Sequence, residues 1–359
     1  MIELCESLSL ILGREQEWVR KIKNKLAFFI CKTSFLQLHS VSIKLIFHFI
    51  TSSLHHFITS SHTTNMKKLS LLLFLPLLAC TQPQKATLET EQLIEDLWFI
   101  SSDKTEGRRT GTEGNRIARE YIITRFQEEG AKPFQGSFTH EFTFKNRRTE
   151  EEVKGINVIA QVDGKSDSII VISAHYDHLG KRDALIFNGA DDDASGTAAL
   201  LALADYFAKE QPNHTLVFVA FDAEEMGLQG ARAFVEDSVL LSKVKLNINM
   251  DMISQNDSSE IYATGTYHYP ATKRILESID TGSLKLLFGH DTPDLGYDDW
   301  TNSSDHAPFH AKGVPFVYFG VEDHKNYHKA SDEFETIPQG FYKASVQLIL
   351  NAVLAFDKR

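Results

Sequence analysis

Three successive carboxylates, Asp191, Asp192 and Asp193, lie between two glycines in the stretch Asn188-Gly189-Ala190-Asp191-Asp192-Asp193-Ala194-Ser195-Gly196. Adjacent acids repel one another, so a folded chain tolerates three of them mainly in a solvated turn or around a cation. An Ala/Leu-rich run with helical spacing, 197–208, follows at once. Taken alone, the loop reads as a cap for that helix, because Asp suits an N-cap and the positive end of the dipole. Four further clusters change this weighting: His175-Tyr176-Asp177, Asp222-Ala223-Glu224-Glu225, Asp251 and Asn326-Tyr327-His328. Two histidines with three or more carboxylates form a donor set suited to zinc, or to manganese or cobalt. Two cations about 3.5–4 Å apart need a bridging carboxylate, which the aspartate loop can supply. In His-X-Asp the acid can hold the second ring nitrogen of the histidine. In the pair Glu224-Glu225 one residue can ligate while its neighbour takes a proton from metal-bound water, whose pKa falls to about 7.

The elements that must position these groups are legible from periodicity. Strand-like runs occupy 155–162, 168–174, 215–221, 246–253, 260–263 and 315–321. Helical patterns occupy 88–102, 115–129, 197–209, 229–237, 271–279 and 339–356. Runs such as Ile169-Ile170-Val171-Ile172 and Leu216-Val217-Phe218-Val219-Ala220 are apolar throughout, which predicts a sheet buried on both faces. Their alternation with helices predicts an α/β fold, a three-layer α/β/α sandwich with a mostly parallel mixed sheet. Ligands of such sheets gather beyond the carboxyl ends of the strands, and each of the four clusters falls just past a strand-like run. A glycine-punctuated loop at 107–114 carries Arg108 and Arg109, for which the sequence suggests no chemistry.

The 359 residues carry a net charge of −11. Residues 1–80 hold nine Lys/Arg against four Asp/Glu, so the rest of the chain carries −16. An acidic body without a basic stripe argues against nucleic acid as a partner. The three cysteines, Cys5, Cys31 and Cys80, all precede the body, whose metal ligands must therefore be His and carboxylates. Met66-Lys67-Lys68 opens a positive region, and the apolar run 71–78 ends in Leu77-Leu78-Ala79-Cys80. This run is shorter than the roughly 20 residues of a membrane span and suits a signal-peptide core. Leu-Leu-Ala-Cys resembles the lipobox of bacterial lipoproteins, which implies lipidation of Cys80 and anchoring in the cell envelope, on the periplasmic side or surface of an outer membrane. The expected organisation is a start-site artefact or disordered stretch over 1–65, a lipoprotein signal at 66–80, a linker at 81–87 and one catalytic domain at 88–359.

The body resembles the M28 family of zinc peptidases, the bacterial aminopeptidase group with two co-catalytic zincs. The resemblance rests on Ser173-Ala174-His175-Tyr176-Asp177-His178-Leu179-Gly180, the aspartate loop and Phe221-Asp222-Ala223-Glu224-Glu225-Met226-Gly227-Leu228. It extends through Asn249-Met250-Asp251-Met252, Ser304-Asp305-His306-Ala307-Pro308-Phe309 and Tyr327-His328-Lys329-Ala330-Ser331-Asp332. It implies two zinc ions, with His175 and Asp251 as terminal ligands of one, Glu225 and His328 of the other, and Asp192 as the bridge. It further implies Glu224 as general base, Asp177 orienting His175, Tyr327 as an oxyanion donor, and His306 as a substrate contact or a loop brace. His178, His310 and His324 fall outside the matching ligand positions. His140, His214, His268 and His290 read as ordinary surface or strand residues, and Asp191 and Asp193 as cap and support for the loop. The implied activity is hydrolysis of the N-terminal bond of peptide substrates. The alternatives are carboxypeptidase or glutaminyl cyclase chemistry on the same scaffold, or a non-catalytic peptidase-like surface receptor.

Overall fold

A computed structural model describes residues 86–358, which pack as one unit. The expected leader, Cys80 and the stretch 1–65 lie outside the described residues. The strands are β1 (Lys132–Pro133), β2 (Thr139–Lys145), β3 (Glu152–Val162), β4 (Ser166–His175), β5 (Gly180–Arg182), β6 (Leu185–Phe187), β7 (His214–Phe221), β8 (Val244–Met250), β9 (Glu260–Thr264), β10 (Lys285–Phe288) and β11 (Phe316–Gly320). The helices are α1 (Thr90–Ile100), α2 (Glu113–Glu129), α3 (Gly196–Lys209), α4 (Gln229–Phe234), α5 (Ser238–Leu241), α6 (Pro270–Leu276), α7 (His306–Ala311) and α8 (Gln339–Asp357).

Nine strands form one sheet in the order β1-β3-β7-β4-β8-β11-β9-β10, with β2 paired to β3. The central strands β7, β4, β8 and β11 are mutually parallel, whereas β3 runs antiparallel to β7 and β9 antiparallel to β11. Register levels the carboxyl ends of the parallel strands: His175 pairs with Phe221, Ser173 with Asn249, and Met250 with Phe319. Alternate side chains divide between two cores. Ile170, Ile172, Ala174, Leu216, Phe218 and Ala220 pack under α1, α2, α3 and α8, while Ile169, Val171, Val217 and Val219 face the cluster containing Phe234, Leu240 and Phe309. Strand side chains alternate sides with a period of two, so a run apolar at every position must be covered on both faces. The α/β three-layer expectation holds for this reason.

Some boundaries differ from expectation. The expected helix at 229–237 ends at Phe234, and Asp237 instead caps a separate short helix beyond that range, accepting the amides of Val239 (3.1 Å) and Leu240 (3.0 Å). Strand β8 stops at Met250 instead of running to 253, since Met252 adopts a left-handed backbone (φ 58°) that cannot continue a strand. Strand β2 carries little apolar signal: its alternation is between exposed and half-buried positions at the sheet margin.

Helices α1 and α2 are joined by a buried ion cluster in which one cation faces three acids. Arg125 meets Asp96 at 2.9 Å, Glu129 at 2.8 Å and the more exposed Glu128 at 3.2 Å. Burial pushes the Glu129 carboxyl from 4.5 up to about 9, and Arg125 offsets only part of this. A folded-state pKa above the unfolded value means stability is fully present below pH 4.5 and lost as pH rises toward 9. Glu129→Gln is therefore expected to raise stability at pH 8 by about 1–3 kcal/mol. The gain should shrink to nothing near pH 4, as read from urea unfolding midpoints across pH; a destabilised variant at pH 8 would refute it.

Candidate metal centre

The aspartate loop is built mostly by residues distant in sequence. The Arg108 side chain is fully buried, and its five N–H groups all point at main-chain carbonyls. Nε donates to Tyr176 O (2.9 Å), Nη1 to Ile100 O (2.9 Å) and Asn188 O, and Nη2 to Gly189 O (3.0 Å) and Asp192 O (3.5 Å). One planar fork thus ties the end of α1, the strand-end segment after His175 and the aspartate loop together. Burial lowers the Arg108 pKa to about 10 against the pull of Asp192, Asp193, Asp332 and Asp177, so the group stays charged at neutral pH. From the opposite side, the Asp332 carboxylate accepts the amides of Asp191 (3.0 Å) and Asp192 (3.1 Å). Gly189 is required where it stands: φ is 54°, and a Cβ there would lie 2.1 Å from Asp192 O and 2.5 Å from the His178 ring.

The three aspartates then separate by partner. Asp193 spends both carboxylate oxygens on amides, those of His175 (3.2 Å), Gly196 (2.9 Å) and Met252 (3.3 Å), and caps α3 through Gly196. Asp191 departs from the expected capping role. It accepts from Ser254 N (2.7 Å), Ser254 Oγ (2.6 Å) and His324 Nε2 (2.9 Å), binding the loop to the segment after β8. Asp192 faces the imidazoles. Its Oδ1 lies 3.3 Å from His175 Nε2, and its Oδ2 lies 3.1 Å from His328 Nε2. His175 Nε2 is also 3.5 Å from Asp251 Oδ1, and His328 Nε2 is 3.6 Å from Glu225 Oε1. Ligands 2.0–2.1 Å from a tetrahedral ion stand about 3.3–3.4 Å apart, so these separations suit donors facing a common cation.

Electrostatics points the same way. Burial alone would raise the Asp192 pKa, but His178, His175 and His328 pull it well below the usual carboxylate range. Burial opposes a charge on His175, yet Asp251 and Asp192 hold its pKa well above normal. Glu224 is driven well above its usual value by burial, against His175 and with help from Asp305, Asp251 and Glu225. The buried Oε1 of Glu225 has no hydrogen-bond partner. An acid-rich cage with an orphaned carboxylate oxygen and imidazoles turned toward it fits cations by both charge and donor chemistry.

The loops that carry these groups hold non-glycine residues at left-handed φ: Ala223 (60°) before Glu224, Met252 (58°) after Asp251, and His328 itself (55°). Such backbone costs of order 1 kcal/mol or more and collects where a side chain must be aimed. Asp177 lies against the His175 ring. His175 Nδ1 meets the Asp177 main-chain carbonyl at 3.1 Å, while the carboxylate stands 3.7 Å away. That carboxylate also accepts the amides of Glu224 (3.0 Å) and Glu225 (3.4 Å), orienting the turn that carries both. His306 stands at the start of α7. It is wholly buried against Phe316 and Tyr318, with Nε2 donating to Trp300 O (2.9 Å), and burial lowers its pKa to about 4. Tyr327 stacks on His328 at 4.0 Å, and burial followed by Asp192 and Asp251 keeps its phenol protonated.

Among the described residues, several other histidines have local partners. His310 Nδ1 meets the Tyr269 hydroxyl (2.9 Å), His214 meets Asp357 (3.3 Å), His268 meets Thr301 (3.1 Å), and His290 stacks on Trp300 (3.7 Å). Sequence reasoning missed the positioning roles of Arg108 and Asp332. An arginine pair in a glycine-punctuated loop carries no periodic signal, and Asp332 was visible only as the end of a motif.

A doubly covered, mostly parallel sheet with two buried imidazole–carboxylate clusters beyond its strand ends defines the class: an α/β protein with a site able to hold a pair of cations. Residues 157–353 match Peptidase family M28, and the chain belongs to that family. Aminopeptidase YwaD of Bacillus subtilis is 26% identical over 261 residues, covering 68% of this chain and 53% of that protein. A glutamate carboxypeptidase 2 homolog of Caenorhabditis briggsae is 31% identical over 222 residues, covering 54% of this chain and 27% of that protein. The chain thus spans about half the length, or less, of these curated relatives. The zinc aminopeptidase BSAP from Bacillus subtilis superposes with a TM-score of 0.62 at 16% identity, over 75% of this chain and 96% of that one, and shares the fold.

Proposed function

We propose that the protein is a two-zinc aminopeptidase that hydrolyses the first bond of peptides bearing a free amine. The observation that carries this reading is the Asp192 carboxylate, which presents one oxygen to His175 and the other to His328. On this reading His175 and Asp251 would hold one zinc, Glu225 and His328 would hold the other, and the Asp192 carboxylate would serve both. Bound there, zinc supplies Lewis acidity, polarising a carbonyl and lowering the pKa of water. Glu224 takes the proton of the attacking water and returns it to the leaving amine, a use suited by its raised proton affinity. Tyr327, held protonated, donates to the developing oxyanion. The names of the relatives support the substrate class: an aminopeptidase on one side, a carboxypeptidase homolog on the other. The latter makes C-terminal trimming the second reading.

The test is a panel of free-amine aminoacyl substrates, N-acetylated peptides, N-terminal glutaminyl peptides and C-terminal acidic peptides. Each is assayed on the full chain before chelation, after it, and after zinc is restored. Cleavage of free-amine substrates alone, lost on chelation and regained with zinc, is expected. Turnover only of blocked or C-terminal substrates would replace the reading, and chelator-resistant activity would end it.

We further propose a lipid anchor on Cys80 and display at the cell envelope, on the strength of Leu77-Leu78-Ala79-Cys80. Among the described residues no helix is long and apolar enough to cross a membrane. Cys80→Ser should release the protein from the membrane fraction; retention there would refute the anchor.

A further inference from the structure

His178, outside the matching ligand positions, sits among the donors of the site. Its side chain is wholly buried, and Nδ1 stands 2.8 Å from Glu225 Oε1 and 3.7 Å from Asp192 Oδ2. At 2.8 Å an aligned N–H would make a strong hydrogen bond to the carboxylate. Yet neither His178 Nδ1 nor Glu225 Oε1 has a hydrogen-bond partner. Two buried polar atoms this close, and not aimed at each other, are costly unless a third body satisfies both. His178, Asp192 and Glu225 also form a compact donor group, with one atom from each within 4.8 Å of the others. The cradle is specific to the ring, because the missing Cβ of Gly189 leaves the space that the imidazole fills.

We propose that His178 Nδ1 is a further protein ligand of the second cation. That cage would then hold four protein donors (His178 Nδ1, His328 Nε2, Glu225 Oε1 and Asp192 Oδ2), against three in the first (His175 Nε2, Asp251 Oδ1 and Asp192 Oδ1), because Asp193, though grouped with His175 and Asp251, gives both of its oxygens to amides. The inference rests on the two-cation reading. His328 is 41% exposed at the mouth of the cage, whereas His178 is buried, so the buried histidine holds the ion from inside. The second cation is then the tighter of the two, and the first keeps more of its coordination sphere for water and substrate.

The experiment titrates the metal-stripped full chain with zinc by calorimetry and with cobalt(II) by visible absorption, for the wild type, His178→Ala and His178→Asn. Asparagine can place an amide N–H near the position of Nδ1 but offers no ligand nitrogen. The expected result is two binding events in the wild type. In both variants the tighter event should weaken at least tenfold, with an altered cobalt spectrum, while the other event persists. Recovery of wild-type affinity in His178→Asn, with loss in His178→Ala, would identify a hydrogen bond and overturn ligation. Unchanged binding in both would overturn it as well. Should the variants fail to fold, zinc-edge X-ray absorption of the wild type with two equivalents bound decides. Three imidazoles per two zincs support the inference, and two overturn it. A wild type that binds no cation would instead remove the functional reading on which it rests.

Discussion

Glu224→Gln is expected to lower kcat by about 10²–10⁴, the usual contribution of a positioned general base, while two zinc ions remain bound per chain. At about 1.4 kcal/mol per tenfold, this is a loss of some 3–5.5 kcal/mol of transition-state stabilisation. Glutamine has the same shape, so the turn that carries it should not move. That turn is held through main-chain atoms: Glu224 N donates to the Asp177 carboxylate (3.0 Å), and Glu224 O accepts from the amides of Gly227 (2.7 Å) and Leu228 (2.9 Å). The substitution removes only the proton acceptor. KM should change little, because the donors to the cations are untouched. The metal-free variant should also be more thermostable than the metal-free wild type, since one of the carboxylates crowded with Asp305, Asp251 and Glu225 is neutralised. Steady-state kinetics, metal analysis and a melting curve read the three effects separately. Near-normal turnover with both zincs in place would take the role of base away from Glu224.

Arg108→Met should be the most damaging single change away from the donors. The side chain keeps its length and apolar stem, but five carbonyls lose a charged partner. Breaking a buried charged network by removing one side costs about 3–5 kcal/mol, and a loss of that size is expected in the urea midpoint. Three of the five carbonyls (Asn188, Gly189 and Asp192) belong to the aspartate loop. Zinc affinity should therefore fall together with stability. Arg108→Lys keeps a charge but offers three donors in place of five, so it should recover only part of the loss. A variant within 1 kcal/mol of the wild type would show that the loop is held mainly by other contacts, such as those of Asp332.

The sandwich was legible because its central strands are apolar at every position, as in 169–172 and 216–220, and such runs have one stable solution, a sheet covered on both faces. The clustering of chemistry was legible for a related reason. His175, Asp222, Asp251 and the segment leading to His328 follow strands whose ends the register makes level. The margins were less readable. Strand β2 alternates between exposed and half-buried positions, so hydrophobic periodicity has little to detect.

The amino-acid sequence by itself determined the fold class, the strand-end location of the site and the short list of groups able to meet there. All of these follow from local periodicity and from residue types that suit cations. Tertiary structure decided what each group does. The three aspartates are chemically identical and adjacent, and only their partners distinguish them: Ser254 and His324 for Asp191, amides for Asp193, and imidazoles for Asp192. The same holds for Asp177, whose carboxylate serves the Glu224–Glu225 turn as well as facing His175, and for His178, which lies buried against Glu225. Direction is the physical reason. A carboxylate or imidazole acquires its role from where its lone pairs point, and that depends on backbone turns and distant staples such as Arg108, which leave no periodic trace in the chain.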